Sequence, residues 1–291
     1  MKNLKQFIAD AENEQVAIGH FNITSVEMFW GIFKVAQKHQ VPVIIGVSEG
    51  ERDHFGVRQI ASFIKSVKEE YDFPVFLNAD HTYSFERVKE VVDAGFDSVI
   101  FDGAMLSLEE NITETKKCVE YARSVDPNIL VESEIGYIGS SSKVLEELPE
   151  GAAVTKETVT KPEEAKRFVE ETGVDLLAPA VGTVHGMMRK GLNPKLHIDR
   201  IKEIREACGV PLVLHGGSGS SDEDIRSAVL AGISQVHIST EIRRAYRKGI
   251  EEALQEDSSE IAPYRYMSKS IEKVSEVVEQ KLGVINRKLK I

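Results

Sequence analysis

Short apolar runs alternate with longer amphipathic ones along the whole chain. The short runs are VAIGHF (16–21), PVIIGV (42–47), PVFLNA (74–79), DSVIFD (97–102), ILVESE (129–134), DLLAPA (175–180), PLVLHG (211–216) and SQVHIS (234–239). Each is brief and bounded by Pro, Asp or Gly, as strands buried on both faces of a parallel sheet tend to be. Between them VEMFWGIFKVAQKH, FERVKEVVDAG, SLEENITETKKCVEYARSV, KPEEAKRFVEETG, IDRIKEIREACG and SDEDIRSAVLAG carry one apolar stripe and one polar face, the pattern of surface helices. Gly95, Gly173, Gly209 and Gly232 stand where helix C-caps are expected, and Pro162 suits a first helical turn. Eight strand–helix units without a break in composition predict an α/β chain folded as a single (β/α)8 TIM barrel domain over 1–291. A helix at 3–12 is expected to cap the base. A C-terminal helix at 268–283 is expected to serve packing or an oligomer contact. The stretch 135–160, IGYIGSSSKVLEELPEGAAVTKETVT, exceeds an ordinary connection and reads as an active-site loop.

Composition narrows the functional classes. The chain of 291 residues is long enough for a substantial core, and its formal charge of −11 argues against a nucleic-acid surface or a polybasic membrane anchor. An anionic substrate stays open, because a cradle of backbone N–H groups holds phosphate whatever the net charge. Cys118 and Cys208 are too few for a disulfide framework or an all-thiolate metal site, and read as free thiols. The first residues, MKNLKQFIADAENEQ, lack the apolar core of a secretory signal, and no apolar stretch reaches 18 residues. The expectation is a cytoplasmic protein.

Chemistry gathers at the strand ends. His81 in NADHT, His185 in VGTVHG and His215 in LHGGSG end the third, sixth and seventh runs. On a barrel those ends form the catalytic face, and three imidazoles there suit a divalent metal that keeps one position open. His20 also ends a run; lacking an adjacent acid or glycine turn, it reads as supporting rather than ligating. His237 is placed to line the pocket, whereas His39, His54 and His197 fall on polar segments and read as solvated. Asp80 precedes His81, and along a regular strand the two side chains point oppositely. Asp80 is either a base that takes a hydroxyl proton or a support for a ligand histidine. Asp102, Glu132 and Glu134 end the fourth and fifth runs, where they hold a second cation, order the histidines or form plain hydrogen bonds. Gly216-Gly217-Ser218-Gly219 and Ser239-Thr240 follow runs seven and eight, the loops from which barrel phosphate sites are commonly built. Gly186 and Arg189 after run six add a donor and a fixed charge. No strand end offers a Schiff-base lysine, and there is no His-x-His pair.

With these residues in view, the chain resembles the class II, metal-dependent fructose-bisphosphate aldolase family, which includes tagatose-bisphosphate aldolases. The likeness runs through AIGHFNI (17–23), SEG (48–50), NADHT, DAGFDSVIFDGA (93–104), VESEIG (131–136), TGVDLLAPAVGTVHG (172–186), PLVLHGGSG and HISTE (237–241). It implies zinc held by His81, His185 and His215, with Glu134 as a further metal-site acid and Asp102 and Glu132 nearby. It implies Asp80 as the acid/base residue. Gly186, Arg189, Gly216, Ser218, Ser239 and Thr240 would bind the phosphate of dihydroxyacetone phosphate, while Asn22 and Ser48 line the remaining pocket. A monovalent cation and a homodimer or homotetramer are further implications. The chain departs from the family at His237 (usually Asn), at Ser239 (often Asp) and at Arg189 (commonly Lys). Gly139-Ser140-Ser141-Ser142-Lys143 stands where a Gly-Gly-x-Glu-Asp run is usual, leaving Glu146 or Glu147 as the nearest loop acids. Pro263-Tyr264-Arg265 replaces Pro-Arg-Lys. The expected reaction is cleavage of a ketose 1,6-bisphosphate, by default fructose 1,6-bisphosphate, with tagatose 1,6-bisphosphate or another phosphorylated ketose as the alternative. A non-catalytic metal and sugar-phosphate binding barrel is the alternative of another class.

Overall fold

The structure is a computed structural model that describes residues 2–140, 142–191 and 193–290. Its strands are β1 (Ile18–Asn22), β2 (Val43–Val47), β3 (Val75–Thr82), β4 (Ser98–Phe101), β5 (Leu130–Ile135), β6 (Val144–Leu145), β7 (Leu176–Pro179), β8 (Met187–Met188), β9 (Leu212–Leu214) and β10 (Ile233–Ile238). Its helices are α1 (Leu4–Glu14), α2 (Val26–His39), α3 (Glu49–Phe55), α4 (Val57–Tyr71), α5 (Phe85–Asp93), α6 (Leu108–Val125), α7 (Pro162–Thr172), α8 (Ile198–Cys208), α9 (Asp222–Leu230), α10 (Thr240–Glu256), α11 (Pro263–Tyr266) and α12 (Ser268–Ile285). All strands except β6 and β8 close into one parallel barrel, ordered β1-β2-β3-β4-β5-β7-β9-β10 and back to β1. This is the (β/α)8 TIM barrel that the alternating runs predict.

The main core fills the layer between strands and helices. There Phe21, Ile45, Leu77, Val99 and Val131 meet Phe29, Ile64, Val88, Phe168 and Ile204. A second cluster closes the base, where Leu4, Ile8 and Ala11 of α1 cover Ile18, Ile44, Phe76, Leu130 and Val213. Ser25, Ser84, Ser107 and Ser221 accept from the backbone N–H groups of Met28, Arg87, Glu110 and Asp224, which fixes where α2, α5, α6 and α9 begin. Those helix starts follow strand C-termini, so the positive ends of the helix dipoles ring the mouth.

Several elements go beyond the sequence reading. The Glu51 side chain reaches back to the Ser48 N–H at 2.7 Å and starts the short helix α3. Helix α4 buries Val57, Ile60, Ile64 and Val67, and α10 buries only small or single apolar residues under a charged surface. Inside the long loop β6 pairs with β8, Met187 N–H donating to Lys143 O at 2.9 Å and Arg189 N–H to Leu145 O at 2.8 Å. Helix α12 packs across α2 and α10, so it serves intrachain packing. Close approach there depends on Gly31 and Gly249, where an added Cβ would lie 2.8 Å from Val274 Cγ1 and 2.5 Å from Ser270 Cα. Cys118 is buried and Cys208 half-buried, both as free thiols. Among the described residues no helix is long and apolar enough to cross a membrane.

Candidate active site

Strand period would send Asp80 and His81 to opposite faces, yet both line the mouth. The register between β3 and β4 shifts between Ala79 and Thr82, and His81 takes a left-handed φ of 42°. For a residue with a Cβ this conformation costs about 1–3 kcal/mol, a strain typical of functional sites. His185 arrives on the turn after β7 and His215 on the turn after β9. The three imidazoles offer nitrogens that all lie within 4.8 Å of one another. Their ring centroids are 4.7 Å (His81–His185), 5.0 Å (His81–His215) and 5.8 Å (His185–His215) apart.

The outer nitrogen of each ring has a partner. His81 Nδ1 is 2.8 Å from Asp102 Oδ2, and His185 Nδ1 is 2.6 Å from Gly139 O. His215 lies between Glu134 Oε2 (3.1 Å from Nδ1) and Glu132 Oε1 (2.8 Å from Nε2). Metal-binding histidines are oriented this way, through a carboxylate or carbonyl on the nitrogen away from the ion. For His215 one of the two glutamates must yield to an ion. The donor set is three imidazole nitrogens beside a buried carboxylate oxygen, Asp80 Oδ1, that has no hydrogen-bond partner among the described residues. That chemistry fits zinc or a similar divalent ion.

Electrostatics follow from burial and neighbours. Burial disfavours a charged His81, but Asp80 and the bond to Asp102 outweigh it and raise its pKa to about 9. Burial, with His81 and His215 beside it, lowers His185 to about 3, which leaves it neutral. Burial alone would raise Asp80; His81, His237 and His20 instead hold it well below the carboxylate range, so it is ionised. Asn22 Nδ2 donates to Asp80 Oδ2 at 2.8 Å and to Glu51 Oε2 at 2.9 Å, while the buried Asp80 Oδ1 lies 3.7 Å from His81 Nε2 and 3.5 Å from His237 Nδ1.

Gly186, Gly216, Ser218, Ser239 and Thr240 form one wall of the cleft beside His81 and His185. Gly216 has φ 65°, and a Cβ there would sit 2.5 Å from Val184 O, so no other residue fits this turn. Asn193 ties two of these loops together, donating from Nδ2 to Gly186 O at 2.9 Å and to Ser218 O at 3.0 Å. Ser239 Oγ is buried without a partner among the described residues. Ser48 lines an adjoining cavity of about 270 Å³, with Tyr83, Lys143 and Arg243.

Some expectations are corrected. Arg189 does not reach the cleft; its side chain is 58% exposed and pairs with Glu146. Glu146 and Glu147 are both exposed and outside the cleft walls. Ser141 lies outside the described residues. Of the histidines read as solvated, only His54 is exposed: His39 Nε2 pairs with Glu279 at 2.9 Å, and His197 Nε2 meets Val154 O at 3.0 Å. His237 lines the cleft, and His20 stacks beneath it with ring centroids 3.5 Å apart. The sequence reading missed Glu51, Asn193 and Arg243. Only Glu51 carried a local signal, the Ser-x-x-Glu start of α3.

A broader groove of about 710 Å³ between α10, α12 and the β6–β8 pair holds charged residues such as Arg247 and Lys273, already paired with Glu251 and Glu276. It has no histidine and belongs to the surface.

Comparison with known proteins agrees with this fold. The family described as Fructose-bisphosphate aldolase class-II matches residues 2–290. The fructose-bisphosphate aldolase of Staphylococcus aureus is 35% identical over 291 residues, covering 98% of each chain. That of Geobacillus stearothermophilus is 36% identical over 264 residues, covering 90% of this chain and 88% of its own. Among solved structures, the YdjI aldolase from Escherichia coli K12 superposes with a TM-score of 0.82 at 30% identity, covering 98% of this chain and 97% of its own. With barrel, strand-end histidines and full-length likeness in agreement, the chain belongs to the class II fructose-bisphosphate aldolase family and is a lyase of carbohydrate metabolism.

Proposed function

We propose that this protein is a zinc-dependent aldolase that reversibly cleaves a ketose 1,6-bisphosphate, with fructose 1,6-bisphosphate as the default substrate, to dihydroxyacetone phosphate and glyceraldehyde 3-phosphate. The observation that carries the reading is the ionised Asp80, whose Oδ1 has no hydrogen-bond partner among the described residues, beside three converging imidazoles in a cleft walled by glycine and hydroxyl groups. His81, His185 and His215 would hold the metal, with Glu134 as an added acid and Asp102 and Glu132 supporting the rings. Zinc, when bound, supplies the positive charge that polarises the ketone and disperses the charge left by C–C cleavage.

Asp80 takes the C4 hydroxyl proton as the C3–C4 bond breaks and C4 becomes the aldehyde carbon. Asn22 holds the other Asp80 oxygen and so aims the base. Gly186, Gly216, Ser218, Ser239 and Thr240 receive the phosphate of the dihydroxyacetone half, and Ser48 lines the path of the departing aldehyde. Tagatose 1,6-bisphosphate or another phosphorylated ketose is the alternative substrate. A monovalent cation and a homodimer or homotetramer complete the proposal, with each chain acting as a single domain.

The test is steady-state cleavage of fructose and tagatose bisphosphates by metal-loaded protein, with metal analysis of alanine variants. Turnover is expected on at least one bisphosphate, and none on either would reject the assignment. His81→Ala, His185→Ala and His215→Ala should each lose most of the zinc, whereas His197→Ala keeps it. Undiminished zinc in any of the first three would remove that residue from the ligand set.

A further inference from the structure

We propose that Arg52 is the positioning residue that turns both Asp80 and His81 toward the cleft, by holding the backbone around them in its irregular path. The inference rests on the aldolase reading above for what Asp80 and His81 do there.

Among the described residues Arg52 is the largest side chain that lies fully buried. It stands on the short helix α3, just after β2, and its guanidinium has no close carboxylate. Glu49 Oε1, 4.0 Å from Nη2, is its only ion-pair neighbour among the described residues. Uncharged oxygens hold it instead. Nη1 donates to Val47 O at 2.6 Å and to Asp80 O at 3.0 Å, and Nη2 donates to Thr82 Oγ1 at 3.1 Å. Only Nε lacks a partner among the described residues. An apolar side chain of similar volume would fill the space without the cost of burying a charge, so the guanidinium is there for the oxygens it meets.

Those oxygens belong to the irregular end of β3. Its pairing with β2 ends at Val47 and Ala79, and its register with β4 shifts between Ala79 and Thr82. Asp80 and His81 sit where the ladders no longer fix the chain, and buried carbonyls there need donors from elsewhere. The planar fork of a guanidinium spans the gap, taking the carbonyl before His81 and the hydroxyl after it. Between those two anchors His81 keeps its left-handed φ of 42°. A second route reaches the same imidazole: Thr82 O accepts from Asp102 N–H at 2.9 Å, and Asp102 Oδ2 meets His81 Nδ1 at 2.8 Å. From the adjacent position on α3, Glu51 steadies the Asp80 carboxylate. Its Oε2 accepts from the Asn22 Nδ2 that also holds Asp80 Oδ2, and its Oε1 accepts from Arg243 Nη2 at 2.5 Å.

The experiment compares wild type with Arg52→Met, Arg52→Lys and Thr82→Val. Val67→Ala, a buried α4 variant outside the cleft walls, controls for loss of stability alone. In metal-free protein the proton between His81 Nδ1 and Asp102 should give a downfield NMR signal in wild type and Val67→Ala that moves or vanishes in Arg52→Met. Zinc affinity, measured by chelator competition, should fall about 10–100-fold in Arg52→Met, the usual loss when the support of a ligand histidine is removed. The visible spectrum of cobalt-loaded protein should change with it. On a bisphosphate substrate, metal-saturated Arg52→Met should lose about 100-fold in kcat, the effect of a displacement of about 1 Å. KM should stay within about threefold, because the phosphate wall is untouched. Arg52→Lys keeps one donor without the fork and should recover part of each loss. Thr82→Val removes one arm of the fork and carries the test if Arg52→Met does not fold. A wild-type NMR signal, zinc affinity and cobalt spectrum in the folded variants, or equal changes in Val67→Ala, would overturn the proposal. NMR and zinc differences in a protein whose wild type turns over no bisphosphate keep the positioning role and reject the aldolase reading. Turnover undiminished in Arg52→Met, with those differences absent, rejects the positioning role alone.

Discussion

Asp102→Asn separates two roles that one carboxylate plays at the proposed metal centre. Asp102 Oδ2 meets His81 Nδ1 at 2.8 Å while its Oδ1 accepts from Ala104 N–H at 3.1 Å. Asparagine keeps the shape, but it loses the charge and can satisfy only one of those contacts well. Burial opposes a charged His81; Asp80 and Asp102 overcome it and set the pKa at about 9. Below that value a metal must expel a proton from His81, so zinc affinity rises with pH and levels off above about 9. At pH 7 only about one molecule in a hundred has His81 neutral, a handicap of ~100-fold that shrinks to about twofold at pH 9. In the variant the His81 pKa falls, although Asp80 still holds it up, so part of the handicap at pH 7 is removed. The variant also loses an orienting bond, worth about 10–100-fold in metal affinity. The two effects therefore partly offset each other at pH 7, and at pH 9 the variant should bind zinc about 10–100-fold more weakly than wild type. His215 adds its own proton competition through Glu132 and Glu134, but equally in both proteins. Competition against a fluorescent zinc chelator at pH 7, 8 and 9 measures the ratio. A variant-to-wild-type ratio that is flat across this range would refute the reasoning.

Three further outcomes are expected. Asp80→Ala should keep the metal yet lower turnover by about 10²–10⁴-fold, the contribution of a positioned base. Single-turnover cleavage should suffer more than proton exchange on dihydroxyacetone phosphate, and equal losses would reduce Asp80 to a support for the metal. Arg189→Ala should leave substrate KM within about twofold and stability within ~1 kcal/mol, because its partner Glu146 is an exposed loop residue; a tenfold rise in KM would bring Arg189 back to the phosphate. Gly249→Val should destabilise the fold by about 1–3 kcal/mol by forcing α10 and α12 apart, read as a lower urea midpoint; an unchanged midpoint would mean that the helices separate freely.

The strands and the three histidines were legible because both rest on local rules: apolar runs with turn residues at their ends, and the convergence of strand ends in a closed barrel. Asp80 and His81 were legible as a pair but not in direction, since alternation forbids what a register shift and one left-handed residue permit. Arg189 was misplaced for a different reason. Its loop is captured by β6–β8 pairing with a segment distant in sequence, and no local pattern around Arg189 encodes that contact. The same holds for Arg243, whose partner Glu51 comes from the other end of the chain. Helix α4, with Ile60, Ile64 and Val67 on one face, was readable by its period, whereas α10 is too charged to declare an apolar stripe.

Strand β1 pairs on one side with β2 and on the other with β10, and the N–H of Ala17 donates to Ile285 O at 3.0 Å. The first strand is therefore finished only by residues that leave the ribosome long after it. Until β10 and α12 emerge, the nascent chain carries two unpaired edges of a parallel sheet, the kind of surface on which other chains can dock and aggregate. Late release, a chaperone cavity or rapid collapse of α12 onto α2 and α10 must guard those edges. A nonsense mutation in α12 would then appear in the cell as insoluble protein before it appeared as lost activity.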